Sequence, residues 1–153
     1  MVKLNLPAYN FKIKTVGTKQ QIFDRIRRRY VTLTPEEWVR QNMITHLIEA
    51  LEVPPTRLSN ETTITYNGLI KRCDTVVYDE NYKPLMIVEY KAPHVRLTQA
   101  VFDQIAVYNL NLQVPFLLVS NGLTHIFCKV DVANKRYLFN PDILSYSNLL
   151  ATR

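Results

Sequence analysis

The chain has 153 residues, of which 47% are hydrophobic and 21% are charged, and only three are glycine. This length suits one domain with one hydrophobic core, and the apolar fraction excludes a disordered chain. The glycines at positions 17, 68 and 122 are too far apart for the clustered glycines of a dinucleotide-binding or Walker-type phosphate loop. We therefore expect no ATP site in this chain, and we expect any bound phosphate to be held by cations or a metal.

Basic residues outnumber acidic ones by 19 to 13, which gives a net charge of +6. Such a charge suits contact with a polyanion, although it also serves solubility alone. Cys73 and Cys128 lie in apolar, strand-like runs without metal-ligand spacing, which indicates buried thiols in a reducing compartment. No stretch has the length of a membrane span or the pattern of a signal peptide. We expect a cytoplasmic protein with no membrane partner.

Residues 1–33 form an N-terminal extension, in which 11–14 and 21–23 predict a possible hairpin around Gly17. A basic run follows at 25–30. It is interpreted either as a solvated face, which is slightly favoured, or as a surface that contacts nucleic-acid phosphates. The candidate phosphate contacts are Arg27, Arg28 and Arg29.

A helix is predicted from Thr34 to about residue 51. Thr34 can cap it, Pro35 suits the first helical position, and Glu37 stands where the reciprocal member of a capping box belongs. A broad apolar stripe follows at helical spacing. Glu37 lies beside that stripe with Arg40 and Gln41, so its side chain is expected to face something other than water.

The remaining pattern predicts strands at 62–66, 73–78 and 85–90, a helix at 97–111 that Thr98 can cap, strands at 114–120, 124–130 and 136–139, and a terminal helix at 141–150. This order favours an α/β fold of the α+β type, with a mixed central β-sheet flanked by helices. We expect a single domain over 1–153, with its core at 34–130 and a C-terminal strand and helix at 131–153.

Charged residues stand at the ends of two of these hydrophobic strands. Asp74 lies near the start of one, whereas Glu89 and Lys91 end the next. Because side chains alternate along a strand, Glu89 and Lys91 share one face and Tyr90 points to the other. Taken singly, each charge is better explained as part of a surface ion pair or as the cap of a strand or turn; the opposed acids, the apolar flanks and the following helix together favour a functional role.

The connection between these strands brings the two acids together. If Asp79 pairs with Pro84, Asp74 falls opposite Glu89, and directly opposed residues have Cβ atoms about 4.5–5.5 Å apart. Two carboxylates at that distance repel unless one is protonated or a cation bridges them, and a divalent ion with oxygen ligands resolves the conflict. Lys91 can then orient or deprotonate a water molecule, or stabilise a developing charge.

The pattern of Asp74 followed by Glu89-Tyr90-Lys91 resembles the PD-(D/E)XK nuclease motif. Over about residues 30–130, several further motifs resemble the N-terminal nuclease domain of type I restriction enzyme R subunits. These motifs are Thr34-Pro35-Glu36-Glu37-Trp38-Val39-Arg40-Gln41, Ala92-Pro93, Gln104-Ile105-Ala106-Val107-Tyr108 and Asn121-Gly122.

The resemblance implies a restriction-endonuclease-like core and a Mg²⁺ ion, for which Mn²⁺ is a possible substitute. The metal ligands would be Asp74, Glu89 and the backbone carbonyl of Tyr90, and Lys91 would be the catalytic lysine. Glu37 would be a further catalytic acid. Gln104 and Tyr108, one helical turn apart, would contact DNA or position the groups of the site.

This sequence departs from the family pattern at Cys73, which replaces the proline of the motif, and its 153 residues do not contain the ATP-dependent motor that the family's R subunits carry after this domain. The resemblance implies an endonuclease domain that hydrolyses DNA phosphodiester bonds, with DNA and restriction-modification motor, specificity and methylation subunits as partners. One alternative is a catalytically idle DNA-binding or assembly module of the same fold that acts with a partner motor subunit. A structural protein without a nucleic-acid role is a third possibility.

Overall fold

The computed structural model describes residues 1–153. The first three strands form an antiparallel sheet that is separate from the central sheet. These are β1 (Ile13–Val16), β2 (Lys19–Asp24) and β3 (Arg29–Thr32), in the order β1-β2-β3. The β1–β2 turn contains Gly17, which has a φ of +62°. The sequence did not predict β3, because its basic flank obscured the alternation of side chains typical of a strand.

The first helix, α1 (Pro35–Glu49), begins at Thr34, whose side chain accepts a hydrogen bond from the Glu37 amide at 3.0 Å. The Thr34 amide itself donates to the carbonyl of Thr32, so the Glu37 side chain does not complete a capping box. This helix buries polar residues as well as an apolar stripe. Its Glu37 side chain is therefore free to pair with other elements.

The central sheet has six strands in sequence order, and only the β6–β7 pair is parallel. A helix, α2 (Gln99–Leu112), makes the crossover between them, and α3 (Tyr146–Thr152) ends the fold. The predicted mixed sheet flanked by helices is thus confirmed. The strands are β4 (Leu58–Tyr66), β5 (Leu69–Tyr78), β6 (Pro84–Tyr90), β7 (Phe116–Ser120), β8 (His125–Asp131) and β9 (Arg136–Asn140).

Each face of the central sheet has its own apolar cluster. On one face α1 and α3 pack against β6 through residues such as Met43, Leu149 and Val88. On the other face α2 packs through Phe102 against Ile87. Both cysteines are buried free thiols. None of the three helices is long and apolar enough to cross a membrane.

The register of β5 against β6 decides which charged residues meet. Thr75 pairs with Val88, and one further step of the same register sets Asp74 opposite Glu89, as predicted. The assumed pairing of Asp79 with Pro84 is wrong, because the register shifts and Tyr78 pairs with Pro84. The Asp79 carboxylate instead accepts amide hydrogens from inside the turn. The shift lies at the turn and leaves the far end of the hairpin in the predicted register.

Candidate active site

A cleft of about 350 Å³ opens beside the charged ends of β5 and β6 and under α2. It brings together two of the three predicted acids, the lysine, the glutamine and the tyrosine, with additional residues that the sequence pattern did not single out. The lining residues are Glu36, Lys71, Arg72, Asp74, Glu89, Tyr90, Lys91, Val101, Gln104, Ile105 and Tyr108.

The two acids of the cleft differ in their surroundings. Asp74 Oδ2 accepts a hydrogen bond from the Tyr90 amide at 2.9 Å, which ties the end of β6 to β5. Glu89 is only 8% exposed. Its burial, followed by the charge and hydrogen bond of Asp74, raises the pKa of Glu89 to about 8, although Lys71 acts in the opposite direction. Glu89 therefore keeps its proton near neutral pH even beside Lys71, and the pair carries its full negative charge there only when a further cation binds.

Lys71 on β5 is the side-chain cation that lies next to this pair. Its Nζ lies 3.0 Å from Glu89 Oε1. Burial alone would lower the pKa of Lys71, but the charge and hydrogen bond of Glu89, with the nearby Cys73 and Asp74, together raise it. The sequence pattern did not single out Lys71, because the predicted strand begins at residue 73, whereas β5 begins at Leu69. Extending the alternation two residues towards the N-terminus would have included it.

The residues present fit a divalent metal ion. The buried Glu89 carboxyl lines the cleft together with the carboxylate of Asp74, and its one ion-pair partner is the Lys71 ammonium. Carboxylate and carbonyl oxygens are the ligands of Mg²⁺, which usually keeps several waters when one or two carboxylates hold it. No group of three or more His, Cys, Asp or Glu side chains is arranged to hold a metal. The candidate site is thus a two-carboxylate site.

Tyr90 and Lys91 follow the alternation predicted for a strand. The Tyr90 ring is buried in the cluster under α1, and its hydroxyl donates to Thr75 Oγ1 at 3.0 Å. Because the ring lies on the opposite face, Tyr90 borders the cleft with its backbone. The Lys91 amide donates to the Ser120 carbonyl at 2.9 Å, and its side chain makes no ion pair or hydrogen bond. Lys91 thus presents a free ammonium group to the cleft.

The structure does not place Glu37 in the cleft. Its carboxylate lies 2.8 Å from Arg27 Nη2 and 2.9 Å from Arg40 Nε, within a buried ion-pair network. The neighbouring Glu36 lines the cleft instead. Burial and the charge of Asp74 raise the pKa of Glu36, while Arg40 and Lys91 oppose that shift. The glutamate that faces the candidate site is thus one residue before the one predicted.

The buried network ends at the site itself. The Arg40 guanidinium donates to the main-chain carbonyl of Asp74, and its centre lies 5.5 Å from the centroid of the Tyr90 ring. Arg40 also pairs with Glu61 on β4. Through these contacts, α1 holds the backbone of β5 at Asp74 and packs beside the Tyr90 ring of β6.

Gln104 and Tyr108 lie together on α2, and both line the cleft as the sequence predicted. Tyr108 is 55% exposed, and its ring centroid is 5.7 Å from Lys71 Nζ. Two exposed polar groups at the mouth of a cleft can contact a bound polymer.

The three arginines of the basic run have different environments. Arg27 is engaged by Asp24 and Glu37, so its charge is neutralised inside the protein. Arg28 and Arg29 are exposed and form no ion pair. Of the three, only Arg28 and Arg29 have free charges for contact with phosphate, and neither lines the cleft.

The fold and the cleft define a mixed α+β protein with a nuclease-like core. Residues 35–143 match the family of the type I restriction enzyme R protein N terminus. This match spans more than half of the chain, and the chain belongs to that family. A comparison with curated proteins found no match.

Proposed function

We propose that this chain is a Mg²⁺-dependent deoxyribonuclease domain of the type I restriction R-subunit kind. The observation that carries the proposal is the convergence of Asp74, Glu89 and Lys91 in one cleft, on two strands whose register sets the acids opposite each other. Family membership supports it, because the R subunit is part of a restriction enzyme. The substrate is DNA, and the reaction is hydrolysis of a phosphodiester bond.

Asp74, Glu89 and the backbone carbonyl of Tyr90 would hold the metal, with Mn²⁺ as a substitute. A divalent ion bound there would polarise the scissile phosphate and lower the pKa of a bound water molecule. Lys91 has no internal partner, so its ammonium can donate hydrogen bonds to a phosphate oxygen or orient the attacking water. Glu36 lies in the same cleft and can accept a hydrogen bond from that water.

Gln104 and Tyr108 would position the DNA backbone over the two acids. The amide and the phenol both donate hydrogen bonds that suit phosphate oxygens, and such contacts fix orientation without reading sequence. In this proposal the chain acts with DNA and with motor, specificity and methylation subunits of a restriction-modification system.

Cleavage of DNA tests the proposal. Supercoiled plasmid and linear DNA are incubated with the protein and Mg²⁺ or Mn²⁺, beside the Asp74→Ala and Lys91→Ala variants and an EDTA control. We expect nicking or cutting by the wild type that both variants and EDTA abolish. Wild-type cleavage no greater than that of the variants would contradict the proposal.

The Lys71–Glu89 ion pair favours a second candidate function, a catalytically idle DNA-binding or assembly module that acts with a partner motor subunit. Lys71 lies beside Glu89, and the raised pKa of Glu89 keeps that acid protonated near neutral pH, so the two acids can share the cleft without a metal. In that case the protein would retain DNA without cutting it, and Lys91→Ala would leave retention unchanged. DNA cleavage that requires Asp74 would reject this candidate.

A further inference from the structure

The positive charge of this protein is concentrated in one segment. Residues 1–34 contain eight of the 19 Lys and Arg residues but only one of the 13 acids, so the rest of the chain carries 11 basic and 12 acidic residues. The net charge of +6 is therefore due entirely to this segment, which precedes the family match at 35–143. Its structured part is the three-stranded sheet.

The single acid of this segment does not offset that charge at the surface. Asp24 is completely buried, and its carboxylate binds the Arg27 side chain and the Asn60 amide, which lies at 2.9 Å. By contrast, no ion pair involves the lysines in and beside β1, which are Lys12, Lys14 and Lys19. The segment thus exposes basic side chains of its own and no acidic one.

The register places several of these cations on one face of the sheet. Lys12 lies across from Phe23, which pairs with Tyr30, and Lys14 pairs with Gln21. Because directly opposed residues point to the same side, these residues share a face with Lys19. The alternate face carries Ile22 and Asp24, both completely buried. The face with the lysines is therefore turned away from the protein interior.

Two aromatic rings on this face hold the lysines close to it. Lys14 Nζ lies 4.1 Å from the centroid of Tyr30, and Lys12 Nζ lies 5.7 Å from that of Phe23. The two rings pack edge to face at 5.3 Å. A cation over a ring is attracted by the electron-rich face of that ring, which reduces the freedom the side chain loses on binding a ligand.

The sheet is joined to the candidate active site by ion pairs. Arg27 bridges Asp24 of the sheet to Glu37 of α1, and Glu37 contacts Arg40, which binds the Asp74 carbonyl. A polymer held on the sheet is therefore held in a fixed orientation relative to the cleft.

We propose that the face of the three-stranded sheet formed by Lys12, Lys14, Lys19, Phe23 and Tyr30, together with the exposed Arg28 at the β2–β3 turn, is a second DNA-binding surface that holds the phosphate backbone away from the cleft. The inference rests on the proposed function for its substrate, and it adds a surface outside the matched family region. Binding by lysines to phosphates is independent of sequence and strongly dependent on salt.

The test measures binding without cleavage, so that its failure is distinct from a failure of the nuclease proposal. Fluorescence anisotropy with a labelled DNA duplex in EDTA, over a series of salt concentrations, compares the wild type with Lys14→Gln/Lys19→Gln. The control variant Lys83→Gln/Lys135→Gln removes the same charge from exposed positions outside the sheet. Thermal unfolding establishes that both variants are folded.

We expect the sheet variant to bind at least about fivefold more weakly at low salt, and the slope of log K against log salt to become shallower by about 2, one for each lysine. The control variant should stay close to the wild type. An equal loss of DNA affinity in both variants would show that only the net charge of the protein matters, and it would overturn the proposal. Binding to anionic phospholipid vesicles that requires these lysines, together with unchanged binding to the duplex, would also overturn it.

Discussion

Lys71 Nζ lies 3.0 Å from Glu89 Oε1, so a side-chain cation stands beside the acid pair at the position where the proposed function needs a metal. This contact, together with the raised pKa of Glu89, explains how the buried Glu89 carboxyl and the half-buried Asp74 carboxylate lie side by side without a bound ion. It also means that a metal and Lys71 compete for the same oxygen.

Replacing Lys71 should therefore strengthen metal binding. An ion pair at this distance is worth about 1 kcal/mol even in water, so we expect Lys71→Met to bind Mg²⁺ at least about fivefold more tightly in isothermal titration calorimetry. Arg72→Met is the matched control, because it removes the same charge from a neighbour that pairs with Glu61 instead. Unchanged or weaker binding by Lys71→Met would show that the two cations do not compete.

The raised pKa of Glu89 predicts how stability depends on pH. In the metal-free protein Glu89 keeps a proton up to about pH 8, whereas in the unfolded chain it loses that proton near 4.5. The folded state thus binds more protons in this window, and stability falls as pH rises from about 4.5 to 8.

Added Mg²⁺ should offset this loss, because it favours the ionised pair. We expect the increase in Tm on adding Mg²⁺ to grow between pH 6 and about pH 8, as followed by thermal unfolding. In Glu89→Gln the pH-dependent loss should shrink and the response to Mg²⁺ should vanish. The same pH profile in both proteins would count against Glu89 as the titrating group.

The adjacent residues Glu36 and Glu37 should differ sharply on replacement. Glu37→Gln breaks a buried network with Arg27 and Arg40, which should cost about 3 kcal/mol of unfolding free energy in urea denaturation. Glu36→Gln should cost less than about 0.5 kcal/mol, since it has no ion-pair partner. Glu36→Gln should instead reduce Mg²⁺-dependent DNA cleavage. The reverse assignment of these effects would restore Glu37 as the acid of the site.

Gly122, in the turn after β7, should not tolerate a side chain. It has a φ of +85°, and a Cβ atom there would lie 2.6 Å from Leu4 Cδ2. Its carbonyl also accepts the Asn5 amide at 2.8 Å, which secures the N-terminal segment. We expect Gly122→Ala to lower the unfolding free energy by about 1–3 kcal/mol. Gly17→Ala has a similar φ but no nearby atom, so it should cost less.

The order of the elements and the pairing of the acids could be predicted because both depend on local patterns. Alternation fixes the face of Glu89 and Lys91, and the hairpin length fixes the partner of Asp74. The predicted pairing of Asp79 with Pro84 was wrong, but the error did not affect the predicted pairing of the two acids. The register shifts only at Tyr78, next to the turn, and the strand pairs nearer to the acids keep the predicted register.

The features that the sequence did not predict depend on contacts between segments that are distant in the chain. Helical spacing places Glu36 and Glu37 on different faces but does not say which face meets the cleft; the pairing with Arg27 decides it. The charge run containing Arg27 gives no sign that one of its members is internal. The buried Asp24 forms an ion pair with Arg27, but no sequence motif includes Asp24, so this pairing could not be predicted.

The central claim is that Asp74 and Glu89 hold a divalent metal, and anomalous diffraction from crystals grown with Mn²⁺ tests it most directly. We predict an anomalous peak at about 2.1 Å from a carboxylate oxygen of each acid, with the Lys71 ammonium moved away from Glu89. An empty cleft at saturating Mn²⁺, with Lys71 still 3.0 Å from Glu89, would contradict the account.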